Sequence, residues 1–129
     1  MPRRDGVRGL KATSLLQPIN RVADADSAEL DVLPGDSATL LINLGDNVNA
    51  GFAADLEEAD EAGGPWTSVG ANDRIGDTVP VGGAANTVYR LGYVGNKRYC
   101  RAALTIPAST DVGVVGLNGE LHRQPEEDL

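Results

Sequence analysis

This 129-residue chain has very few of the residues on which enzymatic chemistry most often depends. It contains one cysteine, Cys100, and one histidine, His122. A single cysteine excludes an intramolecular disulfide framework, and one Cys with one His is too few for a zinc site. A Ser-His-Asp or Cys-His arrangement would have to use His122, which lies near the C-terminal end, and no phosphate-binding glycine loop stands between a strand and a helix. We therefore expect a protein that is not an enzyme and that uses no cofactor and no metal.

The chain also lacks long apolar runs and a surplus of positive charge. Asp, Glu or Gly interrupts every apolar run well short of the length of a membrane span. The N-terminal arginines are not followed by the apolar stretch of a secretory signal. The net charge is −8, and a phosphate backbone would repel a chain of that charge. We expect a soluble protein made in the cytoplasm, with no nucleic acid and no membrane among its partners.

Aromatic residues are scarce as well, at 4% of the chain, so the core must be built from Val, Leu, Ile and Ala. The 16 glycines and 7 prolines predict many turns and few long helices. The alternation of apolar and polar residues predicts a single all-β domain of about seven to eight mostly antiparallel strands, either a β-sandwich or a small barrel. Outside the segment discussed below, strands are expected at 14–22, 29–33, 37–44, 51–58, 66–69, 78–81 and 111–122.

Three of these segments carry further expectations. Pro18 interrupts the first predicted strand, which indicates an edge or a bend. In residues 37–44, alternation places Leu40, Ile42 and Leu44 on one face. A helix competes with a strand over residues 53–62, because Ala, Glu and Leu favour helices; we expect a strand there, followed by an acidic loop.

The two ends of the chain differ in charge. Residues 1–11 carry Arg3, Arg4, Arg8 and Lys11 against a single acid, and residues 123–129 end in an acidic run. We expect a flexible basic N-terminal arm at 1–11, a β-sandwich domain at 12–122 and an acidic C-terminal tail at 123–129. Each tail is either a solvated end or a segment that reaches a neighbouring subunit.

Residues 86–106, NTVYRLGYVGNKRYCRAALTI, form the most informative segment. Two alternating runs flank residues 95–98, as in a β-hairpin with a tight turn. Cys100 falls on the apolar face of the second run, where a buried, inert thiol is expected. The segment holds all three tyrosines of the chain, and a Tyr/Arg face would either contact a partner or stabilise the sheet by cross-strand packing. The residues of this face are Tyr89, Tyr93, Arg98, Tyr99 and Arg101.

Two acidic clusters, at residues 24–31 and 55–61, have the carboxylates that a calcium site needs. The first lacks the spacing of an EF-hand loop, and Gly35 stands where its bidentate glutamate would be. In the second, alternation leaves Asp55 and Glu57 on the solvent face of a strand, which predicts an ordinary solvated edge rather than a metal site.

The pattern TVYRLGYVGNKRYCRAALT, together with SATLLINLGD and FAADLEEADEAGGPWTSVGANDRIG, resembles small structural proteins of tailed bacteriophages over about residues 37–106. The resemblance implies a virion protein on the capsid exterior that decorates or cements the shell by binding the major capsid protein. It also implies a homo-oligomer, with a trimer as one arrangement, and a core position for Trp66. The alternatives are a head–tail joining or tail/fibre accessory protein, and a host-surface or carbohydrate-binding module. The expected interface residues are Arg3, Arg4, Arg8, Tyr89, Tyr93, Arg98, Tyr99 and Arg101.

Overall fold

Ten β-strands make up nearly all the regular structure of the residues that the computed structural model describes, 10–32 and 37–119. The strands are β1 (Leu10–Arg21), β2 (Ala25–Asp26), β3 (Leu30–Asp31), β4 (Ser37–Leu44), β5 (Ala53–Ala59), β6 (Thr67–Ser68), β7 (Arg74–Gly76), β8 (Val88–Tyr93), β9 (Tyr99–Thr105) and β10 (Thr110–Gly119). One short 3₁₀ turn, Ala71–Asp73, precedes β7. Within the described ranges there is no α-helix, so residues 53–59 form the expected strand and not its helical alternative.

The strands form two antiparallel sheets that pack as a β-sandwich, which confirms the all-β prediction. Sheet A has the order β1-β10-β4-β8-β7. Sheet B has the order β2-β9-β5-β6, and β3 pairs with the same strand, β9, as β2 does. Over the described part of the chain, no helix is long and apolar enough to cross a membrane.

The core lies between the two sheets and follows the predicted alternation. In β4, Leu40, Ile42 and Leu44 all point inward and are at most 1% exposed. In β9, Cys100 and Ala102 are completely buried and face them from sheet B. Because burying one leucine or isoleucine side chain stabilises a fold by roughly 1.5–3 kcal/mol, these aliphatic rows account for much of its stability.

The first strand is both an edge strand and an irregular one, as the proline indicated. Strand β1 lies at the edge of sheet A, and its register with β10 shifts twice, between Ser14 and Leu16 and between Leu16 and Ile19, the second shift spanning Pro18. Proline has no N–H to donate, so it is tolerated at an edge. The ring of Pro18 lies against Gly113 of β10, where an added Cβ would come within 2.8 Å of the Pro18 Cα and Cβ atoms.

The predicted hairpin at residues 86–106 is wrong. Strand β8 pairs with β4 and β7 in sheet A, whereas β9 pairs with β2, β3 and β5 in sheet B. The connecting residues cross between the sheets: the Val94 N–H donates to Asp73 O on the sheet A side (2.8 Å), and the Val32 N–H donates to Arg98 O on the sheet B side (2.7 Å). Each run has the alternation of a half-buried strand, but the same alternation results when consecutive strands belong to facing sheets.

Some predicted boundaries also change. Residues 78–81 are not a strand; β7 lies earlier, at Arg74–Gly76, and pairs with β8. After it, the Asp77 carboxylate accepts a hydrogen bond from the Arg90 N–H (2.9 Å), and the chain leaves the sheet towards Pro80. The predicted N-terminal arm up to residue 9, the 123–129 tail and His122 lie outside the described residues.

Candidate functional site

The structure separates the residues of the predicted Tyr/Arg face. Tyr89 and Tyr93 of β8 point inward from sheet A, and Tyr93 is only 3% exposed. Tyr99 and Arg101 alternate with the buried residues of β9 and so lie on the outer face of sheet B. The five residues therefore do not form one surface, because Tyr89 and Tyr93 belong to sheet A and point inward, whereas Tyr99 and Arg101 lie on the outside of sheet B. Arg3, Arg4 and Arg8 lie outside the described residues, and their role stays a prediction.

Tyr93 closes one end of the sandwich. Its hydroxyl donates to Glu58 Oε1 in sheet B (2.7 Å) and accepts from the Lys97 N–H in the crossover (2.8 Å). Burial and the hydrogen bond to Glu58 raise the pKa of Tyr93 well above its ordinary range. A Cβ on Gly95 would come within 2.5 Å of this hydroxyl, so the crossover packs directly on Tyr93. Tyr93 is therefore a structural link between the sheets and not part of an exposed surface.

Two cations of the crossover are fixed by carboxylates. Lys97 Nζ lies 2.9 Å from Asp60 Oδ2, and this ion pair raises the pKa of Lys97. Arg98 binds Asp31 through two hydrogen bonds, of 3.2 Å from Nε and 3.0 Å from Nη2, which raise the pKa of Arg98. The Arg98 guanidinium also lies 5.2 Å from the centre of the Tyr99 ring. Its side chain is nevertheless 48% exposed and accessible to a partner.

Arg101 is the centre of the largest group of charged and aromatic contacts on sheet B. It stands opposite Glu57 in the β9–β5 register, and its Nε donates to Glu57 Oε1 (2.9 Å). Its Nη2 lies 3.5 Å from Asp26 Oδ2 on β2. Its guanidinium lies 4.5 Å from the centre of the Trp66 ring, a cation–π distance. One arginine thus joins β2, β5 and the segment before β6.

Trp66 does not lie in the core, so the position implied by the resemblance is wrong. The side chain is partly exposed, whereas Val69, three residues later, is 3% exposed and inward. An odd spacing places two strand residues on opposite faces, and this was the signal in the sequence that indicated an outward Trp66. Sequence reasoning did not assign Trp66 or the acidic partners of Arg98 and Arg101 to this site, because these residues lie far from the two arginines along the chain. The acidic partners are Asp26, Asp31 and Glu57.

We call this surface the Trp66–Arg101 patch and define it by Trp66, Arg98, Tyr99 and Arg101 with their acidic partners Asp26, Asp31 and Glu57. It contains two guanidinium groups and three carboxylates, so it is close to neutral in a chain of net charge −8. Both arginines have fixed positions because each is paired with a carboxylate.

The acidic clusters serve ion pairs and backbone hydrogen bonds. Strand β5 is not a solvated edge as predicted, since it lies between β9 and β6, and Asp55 and Glu57 pair with Arg74 and Arg101. Arg74 also donates to the Val69 carbonyl. In the first cluster, Asp24 Oδ1 accepts from the Ile106 N–H (2.7 Å). Over residues 10–32 and 37–119, no group of three or more His, Cys, Asp and Glu side chains is arranged to hold a metal ion.

The buried position expected for Cys100 is confirmed. The side chain is completely buried, and burial raises the pKa of its thiol to about 12. The thiolate form, which is the nucleophile in cysteine chemistry, is therefore strongly disfavoured at neutral pH.

Comparison of the chain with protein-family models, with curated proteins and with solved structures finds no match.

Proposed function

We propose that this protein is a structural protein of a tailed-bacteriophage virion that decorates or cements the capsid shell by binding the major capsid protein. The resemblance of residues 37–106 to small phage structural proteins supports the proposal. The observation that carries it in the structure is the Trp66–Arg101 patch. Such a protein acts by contact alone, so it needs a rigid fold and a defined binding surface.

The composition of the patch suits a protein partner. Tryptophan, tyrosine and arginine are the side chains most enriched among residues that dominate binding energy, because they combine wide contact area with directional hydrogen bonds. Here the ion pairs to Asp31 and Glu57 hold Arg98 and Arg101 in place before any partner arrives. Less side-chain entropy is then lost on binding, which favours affinity.

The basic segment with Arg3, Arg4 and Arg8 is proposed as a second contact with an acidic region of the capsid surface. A tethered second contact raises the overall affinity, because its binding becomes intramolecular once the domain has docked. This contribution would weaken with added salt, since it depends on exposed charges.

A carbohydrate-binding role finds less support from the same patch. Sugar platforms need an exposed aromatic face, and the Arg101 guanidinium stands over the Trp66 ring at 4.5 Å. Tyr99 is likewise approached by Arg98 at 5.2 Å.

The first test is the copy number of this chain in virions produced from the genome that encodes it, measured by quantitative mass spectrometry against the major capsid protein. A ratio near one, or a simple fraction of it, is expected for a protein that covers the shell. A copy number that matches a single ring of subunits would assign the protein to the neck or tail instead. Complete absence from the virion would refute the proposal.

The second test measures binding to capsids that lack this protein. Arg98→Ala and Tyr99→Ala should each weaken binding about tenfold or more, a typical cost for a central interface residue. Arg21→Ala is the matched control, because it removes the same charge from β1 of the other sheet. Equal binding by all three variants would exclude the patch as the contact surface.

A further inference from the structure

The outer face of sheet A has a different character from the Trp66–Arg101 patch. Leu41, Val115 and Leu117 alternate with buried residues of β4 and β10 and therefore point away from the core. Ile75 lies over Gly92 on the same side and is 62% exposed, and Val88 is 50% exposed. We call this surface the sheet A outer face.

The strand registers make these residues contiguous. Leu41 stands opposite Val115 of β10 on one side and opposite Arg90 of β8 on the other. Leu117 stands opposite Thr39, whose other neighbour is Gly92 beneath Ile75. Leu41 and Val115 are thus direct neighbours, Thr39 and Gly92 stand between Leu117 and Ile75, and Arg90 with its partner Asp77 flanks Leu41 on the β8 side.

The charge on this face is unusually low for so acidic a chain. At the outward positions of β4, β8 and β10, the charged residues are Arg90 and Asp111, and the carboxylate of Asp111 accepts hydrogen bonds from the Asn20 side chain and the Asn47 N–H. Arg90 is itself paired with Asp77, with Nε 3.6 Å from Oδ2. Sheet B, in contrast, presents Asp26, Glu57 and Asp55 on its outer face. Among the described residues, the sheet A outer face therefore carries fewer carboxylates, Asp77 and Asp111, than the outer face of sheet B does.

The size of the face suits a small protein interface. Five strands about 4.8 Å apart, with rows of about six residues, span on the order of 500 Å² in plane. Because side chains protrude from this plane, the solvent-accessible area of the face is larger than its in-plane area. It is therefore closer to the roughly 800 Å² per partner of a standard stable interface. Single exposed apolar residues are ordinary, whereas several apolar residues on one sheet face are typical of an interaction site.

The remaining segments of the chain offer little to cover this face. Residues 1–9, 33–36 and 120–129 contain few large apolar side chains: Met1, Val7, Leu33, Leu121 and Leu129. A second copy, in contrast, would present an apolar face of equal size. Two chains of charge −8 repel each other, and they meet at the lowest electrostatic cost through the face that carries the fewest carboxylates.

We propose that two copies of this chain associate face to face through their sheet A outer faces, with Leu41, Ile75, Val88, Val115 and Leu117 buried between them. Such an interface is isologous: the same patch is used by both copies, as in most homodimers. The two facing sheets would pack about 10 Å apart, as sheets do within a sandwich. The inference does not rest on the proposed function, because the Trp66–Arg101 patch lies on the other sheet and stays free in the dimer.

The test is analytical ultracentrifugation of the full-length chain from about 1 μM to about 1 mM, a range that brackets the affinity expected for a small interface. Two double variants of the face are compared. One carries Ile75→Glu and Val88→Glu, and the other carries Ile75→Lys and Val88→Lys. Both residues are exposed, so the substitutions leave the core intact. The matched control is Val22→Glu with Val81→Glu, which changes the charge equally at residues 70% and 76% exposed and outside the strands.

We expect the unmodified chain and the control to dimerise, and both face variants to raise the dissociation constant at least about tenfold, because either charge would be buried in the contact. The variant with two lysines is decisive. It lowers the net negative charge and so weakens the general repulsion between copies; if that repulsion alone mattered, this variant would dimerise more tightly. A chain that is monomeric at about 1 mM, tighter dimers of the lysine variant, or unchanged dimers of both variants would each overturn the inference.

If the unmodified chain is monomeric and the two face variants lose capsid binding, the dimer inference is overturned. The sheet A outer face would then be the surface that binds the capsid. If the chain dimerises, both face variants weaken the dimer and the unmodified chain binds no capsid, the inference is supported and the proposed function is refuted.

Discussion

The Tyr93 hydroxyl of sheet A lies 2.7 Å from Glu58 Oε1 of sheet B and donates a hydrogen bond to it across the end of the sandwich. The same oxygen accepts the Lys97 N–H, so a single buried hydroxyl joins both sheets and the crossover between them. A buried polar group in such a position stabilises the fold only while all its partners are present.

Tyr93→Phe should therefore destabilise the protein measurably. The substitution leaves the Lys97 N–H and the half-buried Glu58 carboxylate without this partner, at a cost of about 1–3 kcal/mol in the free energy of unfolding. Urea denaturation measures it. Tyr89→Phe is the matched control, since Tyr89 packs against the core from the same strand, and we expect a change below about 0.5 kcal/mol there. Equal effects at the two positions would contradict the structural role of the hydroxyl.

Alkaline pH should weaken the fold through Cys100 and Tyr93. Burial raises the pKa of Cys100 from 9.0 to about 12, and burial with the Glu58 hydrogen bond raises that of Tyr93 above 10.0. The unfolded chain therefore releases these protons at lower pH than the folded chain does. The stabilisation is complete below pH 9 and is lost as the pH rises towards 12.

The slope of the free energy of unfolding against pH measures this effect. Each group contributes up to about 1.4 kcal/mol per pH unit to the fall in the free energy of unfolding. Denaturation curves between about pH 8 and about pH 11 should show a smaller slope for Cys100→Ala than for the unmodified chain. The absolute loss of stability from the cavity in Cys100→Ala does not affect this comparison. Identical slopes would show that the Cys100 pKa is not raised.

The thiol of Cys100 should be unreactive in the folded protein. It is completely buried on the inner face of β9, and its thiolate is disfavoured. A chromogenic disulfide reagent at neutral pH should therefore modify the native protein only at the rate at which it unfolds. The same protein in concentrated urea provides the fully reactive reference. Fast, complete modification under native conditions would contradict the buried position.

Trp66 and Arg101 should be coupled energetically. A double-mutant cycle of Trp66→Ala and Arg101→Ala, followed by urea denaturation, should give an interaction energy of about 0.5–1 kcal/mol for the stacked pair. The control cycle pairs Trp66→Ala with Arg90→Ala, since Arg90 lies on sheet A, and should be additive. An interaction energy of zero in the first cycle would mean that the stacking does not persist in solution.

Much of the strand pattern was predictable, and β4 shows why. Its limits, Ser37–Leu44, and its inward residues agree with the alternation. The buried Cys100 and the edge position of β1 were also predicted, since the first follows from the alternation of β9 and the second from Pro18 in β1. The candidate site was only partly predictable. Arg98, Tyr99 and Arg101 were identified, but Tyr89 and Tyr93 were misplaced, because the expected hairpin would have put β8 and β9 side by side in one sheet.

The sequence by itself determined that this chain is an all-β protein, where most of its strands lie, and, for strands such as β4 and β9, which residues point inward. These features depend on the pleat of one strand and the hydrophobicity of its own side chains. Only the tertiary structure decided that β8 and β9 belong to different sheets, that Arg101 joins Trp66, Glu57 and Asp26, and that the outer face of sheet A carries fewer charges than that of sheet B. Backbone hydrogen bonds between strands are the same for every sequence, so the choice of partner depends on packing among side chains that are distant along the chain.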